Sequence, residues 1–134
     1  MFTGRFGIAV LGILLTIGVA PVRAGDVSMY GSSKFPQQDG AALYQAICQG
    51  CHQPNAEGAI GAAAYPALAQ NKKLASAAYP IYTVLQGRKG MPPLANYMSN
   101  AQIAAVVNYV RTHFGNNYAD TISPEMVKAA RETH

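Results

Sequence analysis

Apolar positions in this chain fall into three kinds of run. The first is continuous. "IAVLGILLTIGVA" (Ile8 to Ala20) follows a start carrying Arg5 and precedes "PVRA". A charged start, an apolar middle and the residues Val22 and Ala24 at −3 and −1 read as a secretory signal, cut after Ala24. The run holds 13 residues, short of the ~20 that span a bilayer, so an uncleaved anchor is the weaker reading.

The second kind has helical spacing. In "DGAALYQAICQGCH", Leu43, Tyr44 and Ile47 share one face, with Asp39 as N-cap. This predicts a helix from about Gly40 to Gln49. A short helix is expected over Ala77 to Gln86, with Ile81, Val84 and Leu85 facing inward. "GRKGMPPL" breaks it, because its glycines and prolines do not continue a helix. "SNAQIAAVVNYVRTHFGN" is the best-defined element. Ser99 and Gln102 form a capping box, and Met98 and Ile103 occupy the positions of a hydrophobic staple. Ile103, Val106, Val107 and Val110 make its apolar face. His113 falls in its last turn and Gly115 at its C-cap. Ser123 to Glu132 is expected to be a short surface helix.

The third kind shows no sustained period. Residues 25–38 read as an extended polar arm. "QPNAEGAIGAAA" (Gln53 to Ala64) and "YPALAQN" read as loop. No internal repeat and no alternating strand pattern stands out. The fold class is therefore all-α, with long loops between helices. Loops of that length in a compact domain are expected to wrap something. The organisation expected is a signal over 1–24, the arm over 25–38, a folded domain over 39–116 and a tail with a short helix over 117–134.

Composition sharpens this picture. The chain has 134 residues, enough for one domain. Cleavage after Ala24 removes two of the ten basic side chains and none of the six acids, so much of the basicity leaves with the signal. No dense basic stripe remains, which argues against a nucleic-acid partner. Gly, Ala and Pro are frequent and contribute little core volume. A bulky apolar cofactor would supply what the side chains lack.

"CQGCH" (Cys48 to His52) contains both cysteines of the chain and one of its three histidines. Four chemistries produce part of that pattern. A zinc site needs four ligands, commonly from two Cys/His pairs, and the remaining histidines, His113 and His134, lie far apart in sequence. A redox dithiol sits at the start of a helix beside a βαβ unit; this pair ends a helix and has no flanking strands. A disulfide over so small a loop restricts the unfolded chain little, and it leaves His52 unexplained. Covalent haem accounts for the whole stretch: two thiols add to the two vinyl groups of a porphyrin, and the next imidazole becomes an axial ligand. The motif is short enough to arise by chance, so a second ligand has to be found.

At this point the chain resembles the class I c-type cytochromes, over about Asp39 to Asn116. "GAALYQAICQGCH", "YPALA", "GRKGMPPL" and "NYVRTHFGN" stand in that family's order. The resemblance implies the cytochrome c fold, with the first and last of these as crossed helices and loops wrapped around one covalent haem c. Gly40 and Tyr109 stand where the crossing sets a small residue against an aromatic. Gln53 and Ala56 depart from the family, which often has Gly there.

The family takes its second axial ligand from a Met-Pro segment, which implies Met91 in "GMPPL" as iron ligand opposite His52. Met98 is a rival whose staple position already explains it. Met29, Met126 and His113 are weaker candidates. The family's proline carbonyl, which accepts a hydrogen bond from the ligand imidazole, falls on Pro66. Tyr65, Leu68, Ile81, Leu85, Leu94 and Val107 are candidates to line the haem pocket. Lys72, Lys73, Arg88 and Lys89 lie in segments that border it, either as solvated surface charge or as a rim that steers an acidic partner.

The resemblance implies a periplasmic one-electron carrier without bond-making catalysis, and no stable membrane insertion once the signal is cleaved. A softer likeness, in "CHQPNAEGAIGAAAYPALA" and "FGNNYADTISPEMVKAARE", is to cytochromes that accompany periplasmic dehydrogenases. It implies redox protein partners: a flavin- or quinone-dependent dehydrogenase as donor, and a terminal oxidase or another cytochrome as acceptor. Two other classes stay open, a fixed subunit of a dehydrogenase complex and a haem enzyme or gas sensor with a labile Met91.

Overall fold

The computed structural model describes Met1 and residues 34–61 and 64–133. The expected signal, most of the arm, and Met29 lie outside them.

The first helical stretch opens with α1 (Gly40–Leu43), capped by Asp39, whose Oδ1 accepts from the Ala42 N–H at 3.0 Å. A π-helical turn (Tyr44–Cys48) follows, and then α2 (Gln49–His52). The helical stretch thus runs past Gln49 to His52 and carries both thiols and the imidazole. It stops at Gln53, where φ is +70°. Ala56 is also left-handed, at φ +59°, so both departures from the family's glycines sit in backbone that favours glycine.

The long loop after α2 is not wholly irregular. β1 (Ala59–Ile60) pairs antiparallel with β2 (Ala64–Tyr65), with Ala59 opposite Tyr65 and Ile60 opposite Ala64. The fold is mainly helical, and this small ladder corrects the all-α expectation. With two residues per strand, the alternation is too short to register as a pattern. A 3₁₀ turn (Lys72–Ala75) then leads to α3 (Ala78–Gln86). Pro80 sits in the first turn of α3, where a missing N–H breaks no helical bond.

α4 (Asn100–Thr112) begins with the expected capping box: Ser99 Oγ accepts from the Gln102 N–H at 3.1 Å, and Gln102 Oε1 accepts from the Ser99 N–H at 2.9 Å. Its other end differs from expectation. The C-cap is His113 in extended conformation, and the left-handed turn falls on Phe114 and Gly115. His113 stacks on Tyr109, with ring centroids 4.1 Å apart, outside the helix. α5 (Pro124–Glu132) starts at Pro124 with Ser123 as N-cap.

α1 crosses α4 at Gly40. A Cβ on Gly40 would fall 2.8 Å from Tyr109 Cβ and against the Ala105 carbonyl, so only glycine lets the helices approach this closely. Tyr44 packs beside this point, 5.9 Å from the Tyr109 ring and 4.9 Å from Phe114. Leu43, Tyr44, Ile103, Val106 and Val107 form the centre of the core. α5 packs against α4 and α3, and its Val127 is 0% exposed, so it belongs to the packed body and is more than a surface helix.

Buried polar side chains tie the loops down. Arg111 donates to the Leu74, Ala75 and Asp120 carbonyls and pairs with the Asp120 carboxylate at 2.6 Å. Only the arginine is buried; the Asp120 carboxylate is largely exposed, and the guanidinium hydrogen bonds hold its carboxyl below the usual range. Asn116 donates to the Leu68 and Val110 carbonyls and accepts from the Asn71 N–H. Among the described residues, no helix is long and apolar enough to cross a membrane.

Candidate functional site

The helical stretch from α1 to α2 places Cys48, Cys51 and His52 within its last turns. All three line one cavity of about 1080 Å³, just above the ordinary range of roughly 300–1000 Å³ for small-molecule sites. Burial, with Cys51 nearby, pushes the Cys48 thiol up to about 12, so it stays protonated at neutral pH.

His52 is oriented from the facing loop. Its Nδ1 lies 2.9 Å from the Pro66 carbonyl oxygen. A carbonyl only accepts, so Nδ1 carries the hydrogen and Nε2 keeps its lone pair for a metal. Backbone bonds fix this loop: the Gly58 N–H donates to the His52 carbonyl at 3.0 Å, and the Leu68 and Ala69 N–H groups donate to the Ala56 carbonyl.

Met91 reaches the same cavity from the turn after α3. Arg88 and Met91 exchange two backbone hydrogen bonds of 3.0 Å each, with Lys89 at φ +53° between them. Gly87 ends α3 at φ +72°; a Cβ there would meet the backbone of Met91, Pro92 and Pro93. The glycine thus lets the Met-Pro-Pro strand lie directly against the end of α3.

The cavity therefore gathers all five expected site residues, Cys48, Cys51, His52, Pro66 and Met91. It leaves out the rivals. Met98 is buried in the core beside Ile103, Met126 is exposed on α5, and His113 is exposed on the surface. Of the expected lining, Tyr65, Leu68, Leu94 and Val107 face the cavity. Ile81 and Leu85 do not: they belong to the core. The cavity takes the adjacent face of α3 instead, through Pro80, Thr83 and Val84, and takes Val106 and Val110 from α4. Both faces of α3 are apolar, so spacing alone left its rotation open. Lys73, Arg88 and Lys89 line the cavity together with a single acid, Glu57; Lys72 is exposed nearby in sequence and does not line it.

An apolar chamber with two thiols, a lone-pair imidazole and a thioether suits an iron porphyrin: vinyl groups for the thiols, soft and borderline donors for the iron. The crossing helices and this chamber define the chain as a c-type cytochrome. Comparison with known proteins agrees. The model of the family described as cytochrome c oxidase, cbb3-type, subunit III matches residues 36–110. The chain belongs to that family. It is also 34% identical, over 107 residues, to the fructose dehydrogenase cytochrome subunit of Gluconobacter japonicus. That match covers 69% of this chain and 22% of the relative, so the chain spans about a fifth of that protein's length. The cofactor is covalently bound haem c with its iron, and the two cysteines suffice for one such group.

Proposed function

We propose that the chain is a periplasmic monohaem electron carrier, with Cys48 and Cys51 as attachment points and His52 and Met91 as axial ligands. The observation that carries this reading is the meeting of His52, fixed through Pro66, with Met91 in one apolar cavity. When bound, the haem supplies an iron that alternates between Fe(III) and Fe(II). The protein's residues set the terms. Imidazole and thioether are both neutral, and the thioether favours the reduced iron and raises the potential. Leu68, Leu94 and Val107 keep water away, so little has to reorganise around the changing charge. With His52 and Met91 both holding the iron, little room would remain there for a substrate, which would disfavour the haem enzyme or sensor.

The donor is a flavin- or quinone-dependent dehydrogenase, and the acceptor a terminal oxidase or another cytochrome. The likeness to a dehydrogenase cytochrome subunit supports the donor class. The same likeness favours a second reading, a fixed subunit of such a complex. The leader pattern of residues 1–24 supports the periplasm. A spectroelectrochemical titration tests the carrier: one reversible one-electron step is expected, with slow and weak carbon monoxide binding by the reduced protein. Ready carbon monoxide binding would overturn it in favour of an open-site haem protein. Co-purification with a large catalytic subunit would select the fixed subunit.

A further inference from the structure

Beyond the residues that match the family, α5 carries an arginine whose partners all lie on one distant stretch. Arg131 stands in its last turn. Nη1 donates to the Ala95 carbonyl at 2.6 Å, Nη2 to the Met98 carbonyl at 3.2 Å, and Nε to Asn100 Oδ1 at 3.0 Å. These acceptors occupy the chain between the Met91 turn and the first turn of α4. Other contacts hold the same stretch: Met98 is buried in the core, the Lys34 N–H donates to the Tyr97 carbonyl at 3.2 Å, and the Lys34 ammonium lies over the Tyr97 ring. The Leu94 N–H donates to the Val84 carbonyl at 2.9 Å, and the Tyr97 and Met98 N–H groups donate to the Leu94 carbonyl. α3 therefore fixes one side of the segment and Arg131 the other. Val127, buried on the same helix, anchors the arginine's own backbone.

We propose that Arg131 is a positioning residue for Met91: from α5 it holds the 94–98 segment closed and thereby keeps the Met91 thioether at the cavity. This rests on the reading of Met91 as an axial ligand. Met91 sits between two fixed points, the Arg88 hydrogen bonds before it and the Leu94–Met98 segment after it. For the thioether to leave, the chain on one side has to give. The Arg88 pair and Gly87 bind the first side to α3. On the second side, a single guanidinium adds three charge-assisted hydrogen bonds to the burial of Met98.

The test uses the full, haem-loaded ferric protein and imidazole, which competes with a thioether for iron. Arg131→Ala is expected to bind imidazole about tenfold more tightly, the scale of one or two lost charge-assisted hydrogen bonds. Arg131→Lys should fall between it and the wild type. Hydrogen exchange at the Leu94, Tyr97 and Met98 amides should quicken by about tenfold, while the Gly58 and Leu68 amides on the His52 side stay as they were. Unchanged imidazole affinity overturns the proposal, whether or not the amides loosen. Equal loosening on both sides overturns it as well, because Arg131 would then serve general stability. If Arg131→Ala does not fold, Asn100→Ala removes one of the three acceptors and makes the same comparison. Met91→Ala separates the underlying reading: if it binds imidazole no more tightly than wild type, the ligand assignment itself is wrong.

Discussion

His52 Nδ1 and the Pro66 carbonyl oxygen stand 2.9 Å apart, and Gly58 is what allows them to. Gly58 has φ +71°, and a Cβ on it would press on the backbone of Tyr65, Pro66 and Ala67. Gly58→Ala should therefore displace the Pro66 carbonyl. Backbone strain of this kind costs about 1–3 kcal/mol, to be read from the urea midpoint. A hydrogen bond from Nδ1–H makes the imidazole more basic and favours Fe(III), so its loss should raise the reduction potential. A variant with wild-type midpoint and potential would show that Gly58 does not hold this bond.

The second ligand loop has its own pair of glycines, and they should behave oppositely. Gly87→Ala drives a Cβ into the Met91–Pro93 backbone at φ +72°, so it should destabilise by about 1–3 kcal/mol and weaken the iron–sulfur bond. Gly90 meets nothing within 4 Å, so Gly90→Ala should leave both nearly unchanged, within about 1 kcal/mol. Denaturant titrations of the two variants, followed in the haem spectrum, check the contrast. Equal effects would mean that the close approach at Gly87 is not what matters.

Tyr44 makes stability fall at high pH. Its hydroxyl donates to the Gln53 carbonyl at 2.7 Å, and burial pushes its pKa up to about 12. In the unfolded chain a tyrosine titrates near pH ~10. The folded value is the higher one, so the fold favours the neutral phenol. That contribution is intact below about pH 10 and is lost between about pH 10 and 12, by at most ~1.4 kcal/mol per pH unit. Tyr44→Phe should flatten the fall over that window while losing about 1 kcal/mol at neutral pH with its hydrogen bond. An unchanged alkaline slope in the variant would place the effect elsewhere.

Lys73, Arg88 and Lys89 at the cavity, against Glu57, give its mouth a positive balance. Reduction of the ferric protein by an anionic iron chelate such as Fe(II)–EDTA should slow as salt rises, because screening removes the attraction. Lys73→Gln combined with Arg88→Gln should shrink that dependence and leave the spectrum alone. A salt response identical to wild type would make these residues solvated surface charge only.

Much of the site was legible because its chemistry is local. Cys48, Cys51 and His52 are neighbours in sequence, and the capping box at Ser99 and Gln102 is a four-residue pattern that the structure repeats atom for atom. What was missed depends on packing. α3 is apolar on two faces, so its rotation, which sends Ile81 and Leu85 to the core and Thr83 and Val84 to the cavity, follows from its neighbours. α5 reads as a surface helix because little of it is apolar; Val127 is buried in the core with Ala130 packed partly against it, and further ties come from Arg131, a residue that composition reads as solvated. The β1–β2 ladder is too short to leave a period.

The central claim is the pairing of His52 with Met91 at one iron. The direct measurement is the far-red absorption of the oxidised protein, made with its haem attached, in wild type, Met91→Ala and Met98→Leu. A weak sulfur-to-iron charge-transfer band should appear in wild type, persist in Met98→Leu and vanish in Met91→Ala. A wild type without the band, or a Met91→Ala protein that keeps it, would contradict the account.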